Sequence, residues 1–160
     1  MRRIVTGTGA DGRSLLVSDG EPVRIFRNPN SPNRRVVPAA EADPSQLGAD
    51  EVAIAELWAT DTVPPLVDGH DPTADMEWSR DMPPGGTRWR VVVMGPNRQA
   101  AMHRTPSIDC DVLLSGSLVL VLDDSEVTLT PGDLVVLPGT RHGWRAGPDG
   151  ATLLVSMVGL

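Results

Sequence analysis

Between His103 and Trp144 the chain never lets an apolar run grow long enough for a helix. Its hydrophobic pieces, VLL, LVLVL, VTL and LVVL, are cut at Ser115-Gly116, Asp123-Asp124-Ser125, Pro131-Gly132-Asp133 and Pro138-Gly139. A globular helix needs about ten residues of helical periodicity, whereas a strand is complete in roughly four to eight. Leucine and β-branched runs punctuated by Gly, Pro and Asp specify an antiparallel meander. A meander returns its two ends to neighbouring positions, so His103 and His142 are expected to share one pocket.

The same pattern extends toward the N-terminus. Residues 2–19 read as a β-hairpin, with RIVT and SLLV flanking a turn at Asp11-Gly12. Val23 to Arg27 reads as a further short strand. From Asn28 to Asp50 the composition turns to Pro, Asn, Ala and acids without periodicity, which predicts a surface loop. Val52 to Thr60 alternates as a strand, with Val52, Ile54, Glu56 and Trp58 on one face. Asp61 to Gly86 is long, acidic and broken by Pro64-Pro65 and Pro83-Pro84, and reads either as a lid over a pocket or as a surface crossover. His70, within it, is a metal-ligand candidate whose plainer reading is a solvated loop histidine.

In Thr87 to Met94, TRWRVVVM, strand alternation puts Arg88, Arg90, Val92 and Met94 on one face and Trp89, Val91 and Val93 on the other. The expected arrangement buries Trp89, Val91 and Val93 and leaves the arginines in water. The alternative turns Arg90 into the pocket, where its planar fork would hold a carboxylate or enolate substrate. Short strands, Gly/Pro-rich turns and the lack of an amphipathic helix define an all-β sandwich or barrel, and a jelly roll removes the exposed edges of such a chain.

Composition narrows the function. A chain of 160 residues is expected to form a single domain that buries roughly two-thirds of its unfolded surface. Its organisation would be N-terminal strands and an acidic loop over residues 1–86, then a barrel core over 87–160. All fourteen basic residues are arginine, so Schiff-base lysine chemistry is excluded, and the lack of tyrosine removes a phenolic acid. The net charge of −7 is concentrated in residues 41–81, which hold eleven acids and one arginine. Such a surface repels phosphates, and nucleic acid is not an expected partner. Cys110 is the lone cysteine, which rules out an internal disulfide and is expected to be a buried structural thiol. No apolar run approaches the eighteen or so residues of a membrane span, and MRRIVTGTGADG lacks the apolar region of a signal peptide. A cytoplasmic protein without a membrane partner is the expectation.

Alternation also specifies the pocket floor. If Asp109 points inward, so do Asp111 and Leu113, while Cys110 and Val112 point away. His103 and Thr105 share one face of the preceding strand, and His142 and Trp144 share a face of theirs. Two carboxylates on one face raise one another's pKa, and a histidine beside them can move a proton near neutral pH. Asp109, Asp111 and His142 are therefore candidate catalytic groups for enolisation, dehydration or cyclisation. Trp144, Arg90 and Thr105 are candidate substrate contacts, Trp144 as a flat apolar wall. The plainer reading makes His142 a core histidine bonded to Asp109 and Trp144 packing.

The residues that bracket this pocket resemble the two boxes of the cupin superfamily, G-x5-H-x-H-x3/4-E-x6-G and G-x5-P-x-G-x2-H-x3-N. Gly116 closes the first box, Asp109 stands at its Glu, Thr105 at its second His and His103 at its first. Gly132, Gly139 and His142 occupy the second box, one residue short beside Pro138, and Ala146 stands at its Asn. GTRHGWR is similar to the ending of small single-domain cupins from bacterial and fungal natural-product pathways. The resemblance covers Thr87 to Leu160. It implies a double-stranded β-helix, or jelly-roll barrel, with the N-terminal hairpin as an extension that could join a partner's sheet in a homodimer.

The resemblance further implies one divalent metal, Fe, Mn, Ni or Zn, held by His103, Asp109 and His142, with a metal-free acid–base site as the alternative. It departs from the family at Thr105, a poor ligand, and at Asp109, one methylene shorter than Glu. The expected activity is isomerisation, dehydration, decarboxylation or cyclisation of a small polyketide-like, phenolic or carboxylate-bearing molecule. Metal-dependent dioxygenation and non-catalytic ligand sensing are the competing expectations.

Overall fold

The computed structural model describes residues 1–63 and 71–160. Its described residues form eleven strands and two short 3-10 turns. No helix among them is long and apolar enough to cross a membrane. The strands are β1 (Arg3–Thr8), β2 (Ser14–Gly20), β3 (Arg24–Arg27), β4 (Arg35–Val36), β5 (Val52–Thr60), β6 (Thr87–Met94), β7 (Gln99–His103), β8 (Ser107–Val121), β9 (Glu126–Leu129), β10 (Leu134–Pro138) and β11 (His142–Gly159). β1 and β2 make a separate antiparallel hairpin, closed by Gly12 at φ 78° and a bond from Gly9 N–H to Arg13 O of 2.8 Å. The other nine strands run β10-β8-β11-β6-β5-β3-β4, with β7 on β11 and β9 on β8.

β8 and β11 close the barrel because each serves two layers. The first part of β8 pairs with β10 and with Leu153–Gly159, and the part after Gly116 pairs with β9 and Gly143–Ala146. Both strands bend together at one corner. The β8–β11 register shifts between Ala146 and Ala151, and Gly116 (φ 81°) faces Gly150 (φ 75°) across that shift. A Cβ on Gly116 would lie 2.9 Å from the Ala151 Cα, so only glycine allows the two backbones to cross here. Ser115-Gly116 is thus a bend inside one strand and not the turn its sequence suggested. The other breaks are turns: Asp133 caps its own with Thr130 N–H at 2.7 Å, and Leu122 N–H reaches Ser125 O at 2.9 Å.

Two apolar layers result. Leu113, Leu118, Trp144, Leu153, Val155 and Met157 fill one side of the barrel wall. Ala53, Ala55, Leu57, Val91 and Val93 form the other face of β5 and β6, where they pack with Ile25, Val37, Ala42 and Leu47. Here the expectation for residues 28–50 is corrected: the segment is irregular, yet Val37, Ala42 and Leu47 are buried on the sheet. Small alanines in β5 leave room for that cover, a tertiary fit that periodicity does not reveal.

With that face covered from the N-terminal side, β6 turns its other face inward. Arg88 and Arg90 are buried, while Trp89 is 46% exposed. The expected arrangement, with Trp89 in the core and the arginines in water, is the reverse of what forms. Cys110 is exposed and not a buried thiol.

Candidate functional site

The inward faces of β5, β6, β7, β8 and β11 enclose a cavity of about 460 Å³. β8 alternates as expected: Ser107, Asp109, Asp111 and Leu113 are buried, and Ile108 and Cys110 face out. β11 pairs His142 with His103 of β7. Thr105 and Trp144 line the same cavity, so His103, Thr105, Asp109, Asp111, His142 and Trp144 all contribute to one site. Its apolar lining comes from residues such as Val92, Met94 and Val155.

The two imidazoles stand with ring centroids 4.5 Å apart. His103 Nδ1 lies 2.9 Å from Ala101 O, and His142 Nδ1 lies 2.8 Å from Thr140 O. A backbone carbonyl can only accept, so each Nδ1 carries the proton and each neutral ring keeps its Nε2 lone pair free. Trp144 meets His142 edge-on at 5.5 Å. Burial lowers the His142 pKa below its ordinary value, and the neighbouring His103 adds to the shift, against the raising effect of the Thr140 carbonyl.

The carboxylates move the other way. Burial raises Asp109, although the Ser107 hydroxyl donates to its Oδ1 at 2.5 Å and the two histidines and Arg90 favour its charge. Asp111 is 4% exposed, and its Oδ1 is buried without a hydrogen-bond partner. Burial, then the charge of Asp109, push its pKa up to about 7. Near neutral pH the site therefore joins a neutral imidazole to a half-protonated carboxyl group, the pairing of base and acid that proton transfer requires.

Arg90 reaches the cavity, but its fork is committed. Its Nε donates to Glu56 Oε2 at 3.0 Å, Nη2 to Ser79 O at 2.5 Å and Nη1 to Arg80 O at 3.3 Å. Its Cζ lies 4.7 Å above the Trp78 ring. Glu56 is 0% exposed and pairs with Arg90 across the β5–β6 ladder. Arg90 thus ties the 71–82 segment to the barrel wall, and Trp78 and Arg80 become part of the cavity lining. This gives the described part of the acidic crossover a definite position at the cavity. His70 lies outside the described residues.

Glu56, Trp78, Arg80, Arg98 and Ser107 are contributors that sequence reasoning missed. Glu56 offered one signal, a lone carboxylate on a strand face otherwise carrying Val52, Ile54 and Trp58. Its partner is set by strand register, which the sequence does not print.

The implied metal requires a third ligand beside the imidazoles. Among the described residues no three His, Cys, Asp or Glu side chains converge to hold an ion. Asp109 directs one oxygen to Ser107. The described donors therefore do not make up the expected set of His103, Asp109 and His142, and no step below runs through a metal.

A larger cleft of about 700 Å³ beside Arg88 is lined by Asp61, Asp75, Glu77 and Asp81, and none of the described histidines lines it. The chemistry converges in the smaller cavity.

No family model matches the chain. Among curated proteins it is 48% identical over 63 residues to the phomopsin biosynthesis cluster protein C′ of Diaporthe leptostromiformis, covering 39% of this chain and 33% of the relative. It is 29% identical over 150 residues to the cupin-domain-containing oxidoreductase fogC of Aspergillus ruber, covering 89% of this chain and 62% of that protein. The chain thus spans about a third to three-fifths of these relatives. Among solved structures, the polyketide cyclase RemF of Streptomyces resistomycificus superposes with a TM-score of 0.47 at 21% identity, over 67% of this chain and 64% of that one. That superposition is too loose to bear on function.

The barrel and its glycine corner make a jelly-roll fold of the cupin type with an N-terminal hairpin extension, and 89% of the chain aligns with a cupin-domain protein. Its relatives include proteins of natural-product biosynthesis clusters.

Proposed function

We propose that the chain is an enzyme that moves a proton on a small organic molecule of the natural-product type, in enolisation and the isomerisation, dehydration or cyclisation that follows from it. One observation carries this reading: two imidazoles with free Nε2 atoms line the same cavity as a buried carboxyl group whose pKa is pushed up to about 7. His142 Nε2 takes a proton from carbon next to a carbonyl, so a C–H bond breaks and an N–H bond forms. The electron pair moves to the carbonyl oxygen, which receives a hydrogen bond and then the proton of Asp111. Trp144 and the aliphatic wall keep water from the enolate. Asp109 lies where its carboxylate would balance the imidazolium.

The test follows hydrogen–deuterium exchange at the α-carbon of 2-tetralone, a neutral ketone, by NMR in D2O. Wild type is expected to speed exchange over buffer, with most of the gain lost in His142→Ala and Asp111→Asn. Equal rates for wild type and His142→Ala would sink the reading.

A second reading, oxidation, rests on the name of the relative that aligns over 89% of this chain and on the paired imidazoles, which supply two of the three ligands a divalent ion needs. Dioxygen uptake that needs added Fe, Mn, Ni or Zn and stops on chelation would favour it. Exchange that is indifferent to a chelator favours proton transfer.

The partner in this proposal is a second copy of the chain. Val136, Cys110, Ser156 and Trp89 are successive partners across β10, β8, β11 and β6, and the exposed Val136, Leu134 and Ile108 lie on that face. The hairpin exposes Ile4, Leu15 and Leu16 as well. Paired apolar surfaces on one chain suit self-association.

A further inference from the structure

We propose that the cavity selects an organic acid, and that Arg98, assisted by Arg80, is the group that recognises its carboxylate or enolate. This deepens the proposed function and rests on the reading of the same cavity as the substrate pocket.

In a chain of net charge −7, cations are expected to be spoken for, and those of the barrel wall are. Arg90 is paired with Glu56 at 2.7 Å and Arg88 with Asp61 at 2.7 Å. Three arginines line the cavity, Arg80, Arg90 and Arg98, and Arg90 alone of them has a carboxylate partner among the described residues. Arg80 has no side-chain hydrogen bond there either. Asp109 and Asp111 line the same cavity, but neither pairs with Arg80 or Arg98 among the described residues. Arg80 and Arg98 thus bring two guanidinium groups to the cavity without carboxylate partners, which an anionic ligand would supply.

Geometry singles out Arg98. Its Nη1 donates to the neighbouring Gln99 carbonyl at 2.6 Å, which fixes the guanidinium plane. Its Nε is buried and has no hydrogen-bond partner. An orphaned charged donor is costly to bury, and a small adjustment of the side chain toward a bound carboxylate would satisfy it. The backbone is ready for that role. Asn97 holds φ 57°, Arg98 N–H bonds Gly95 O at 3.2 Å, and Ala146 N–H bonds Arg98 O at 2.9 Å. The turn between β6 and β7 is thereby anchored on both β6 and β11. A planar fork on a fixed turn matches a carboxylate's two oxygens. The rest of the cavity matches an apolar body: Trp78 and Trp144 offer ring faces or edges, and Val92 and Met94 fill between them.

The test compares 2-naphthoate with its methyl ester by isothermal titration calorimetry at pH 6.5, where the ring system is constant and the charge is not. Wild type is expected to bind the acid at least about tenfold tighter than the ester, the scale of one charge-assisted pair. Arg98→Gln is expected to bring that ratio close to one, and Arg80→Gln to reduce it about two- to threefold. Arg141→Gln, whose guanidinium pairs with Asp123 outside the cavity, is expected to leave it unchanged. A wild-type ratio that falls with added NaCl reads the same contact without any variant, should Arg98→Gln not fold. Equal binding of acid and ester, a ratio unmoved by Arg98→Gln and by salt, or no binding of the acid at low millimolar concentration each overturns the proposal. Because the exchange assay uses a neutral ketone, loss of exchange with the acid preference intact strikes the proton-transfer reading alone. Exchange without any acid preference strikes this one alone.

Discussion

Asp111→Asn tests the electrostatics of the site without needing a substrate. Asp111 is almost fully buried, and burial pushes its pKa from an ordinary 3.8 up to about 7. A carboxyl group with a raised folded pKa favours folding when protonated, so its contribution is lost as the pH rises from about 4 through about 7. Each pKa unit is worth about 1.4 kcal/mol. The shift from 3.8 to about 7 therefore sets a ceiling of about 4 kcal/mol on the cost of ionising Asp111 in the fold. Asparagine has the same shape and cannot ionise, so the variant escapes that cost. Near pH 4, where the folded wild type is also neutral at this position, the two proteins differ only by the buried amide. Urea unfolding followed by tryptophan fluorescence at pH 4, 6 and 8 gives the comparison directly. Relative to wild type, the variant is expected to gain about 2 to 4 kcal/mol of stability between pH 4 and pH 8, most of it by pH 6 and little above pH 7. A difference that is flat within about 1 kcal/mol would refute the reasoning, because the stability change would then owe nothing to titration.

The remaining tests probe the neighbours. Histidine NMR is expected to show His142 gaining its proton only below the ordinary histidine midpoint, as burial dictates; stability from its neutral form is then present above the unfolded pKa and lost as the pH falls. A midpoint at or above 6.5 would contradict this. Arg90→Met strands Glu56 in the barrel wall and is expected to cost about 3 to 5 kcal/mol, with Glu56→Gln milder; limited proteolysis should also cut residues 71–82 faster in Arg90→Met, and equal rates would dissociate Arg90 from that segment. Val136→Asp is expected to convert a dimer to monomer in sedimentation velocity without loss of the fold, and an unchanged sedimentation coefficient would move the interface elsewhere. Elemental analysis of tag-free protein is expected to give well under one metal per chain, since two imidazoles without a third placed ligand hold an ion weakly; a stoichiometric ion lost in His142→Ala would overturn that.

Much of the site was legible in the sequence because strands alternate strictly. Once Asp109 is placed inward, Asp111 and Leu113 follow and Cys110 faces out, as β8 shows. The spacing of turn residues likewise brought His103 and His142 to one place. Alternation has a limit, however: it says which residues share a face and not which face is inside. That is why Trp89 and Arg90 were exchanged. The choice was made by the 28–50 segment, whose Val37, Ala42 and Leu47 cover the far side of β5 and β6 and leave the near side to line the cavity.

The sequence by itself determined the class of fold and the floor of the pocket. Both follow from local rules, the two-residue period of a strand and the φ values that only glycine readily supplies. Only the tertiary structure decided the charge state of that floor and its walls. Burial beyond the reach of water raises Asp111, and strand register sets Glu56 against Arg90. That pair occupies one arginine and leaves Arg98 for a ligand. These outcomes depend on distances between residues far apart in the chain, which no period in the sequence encodes.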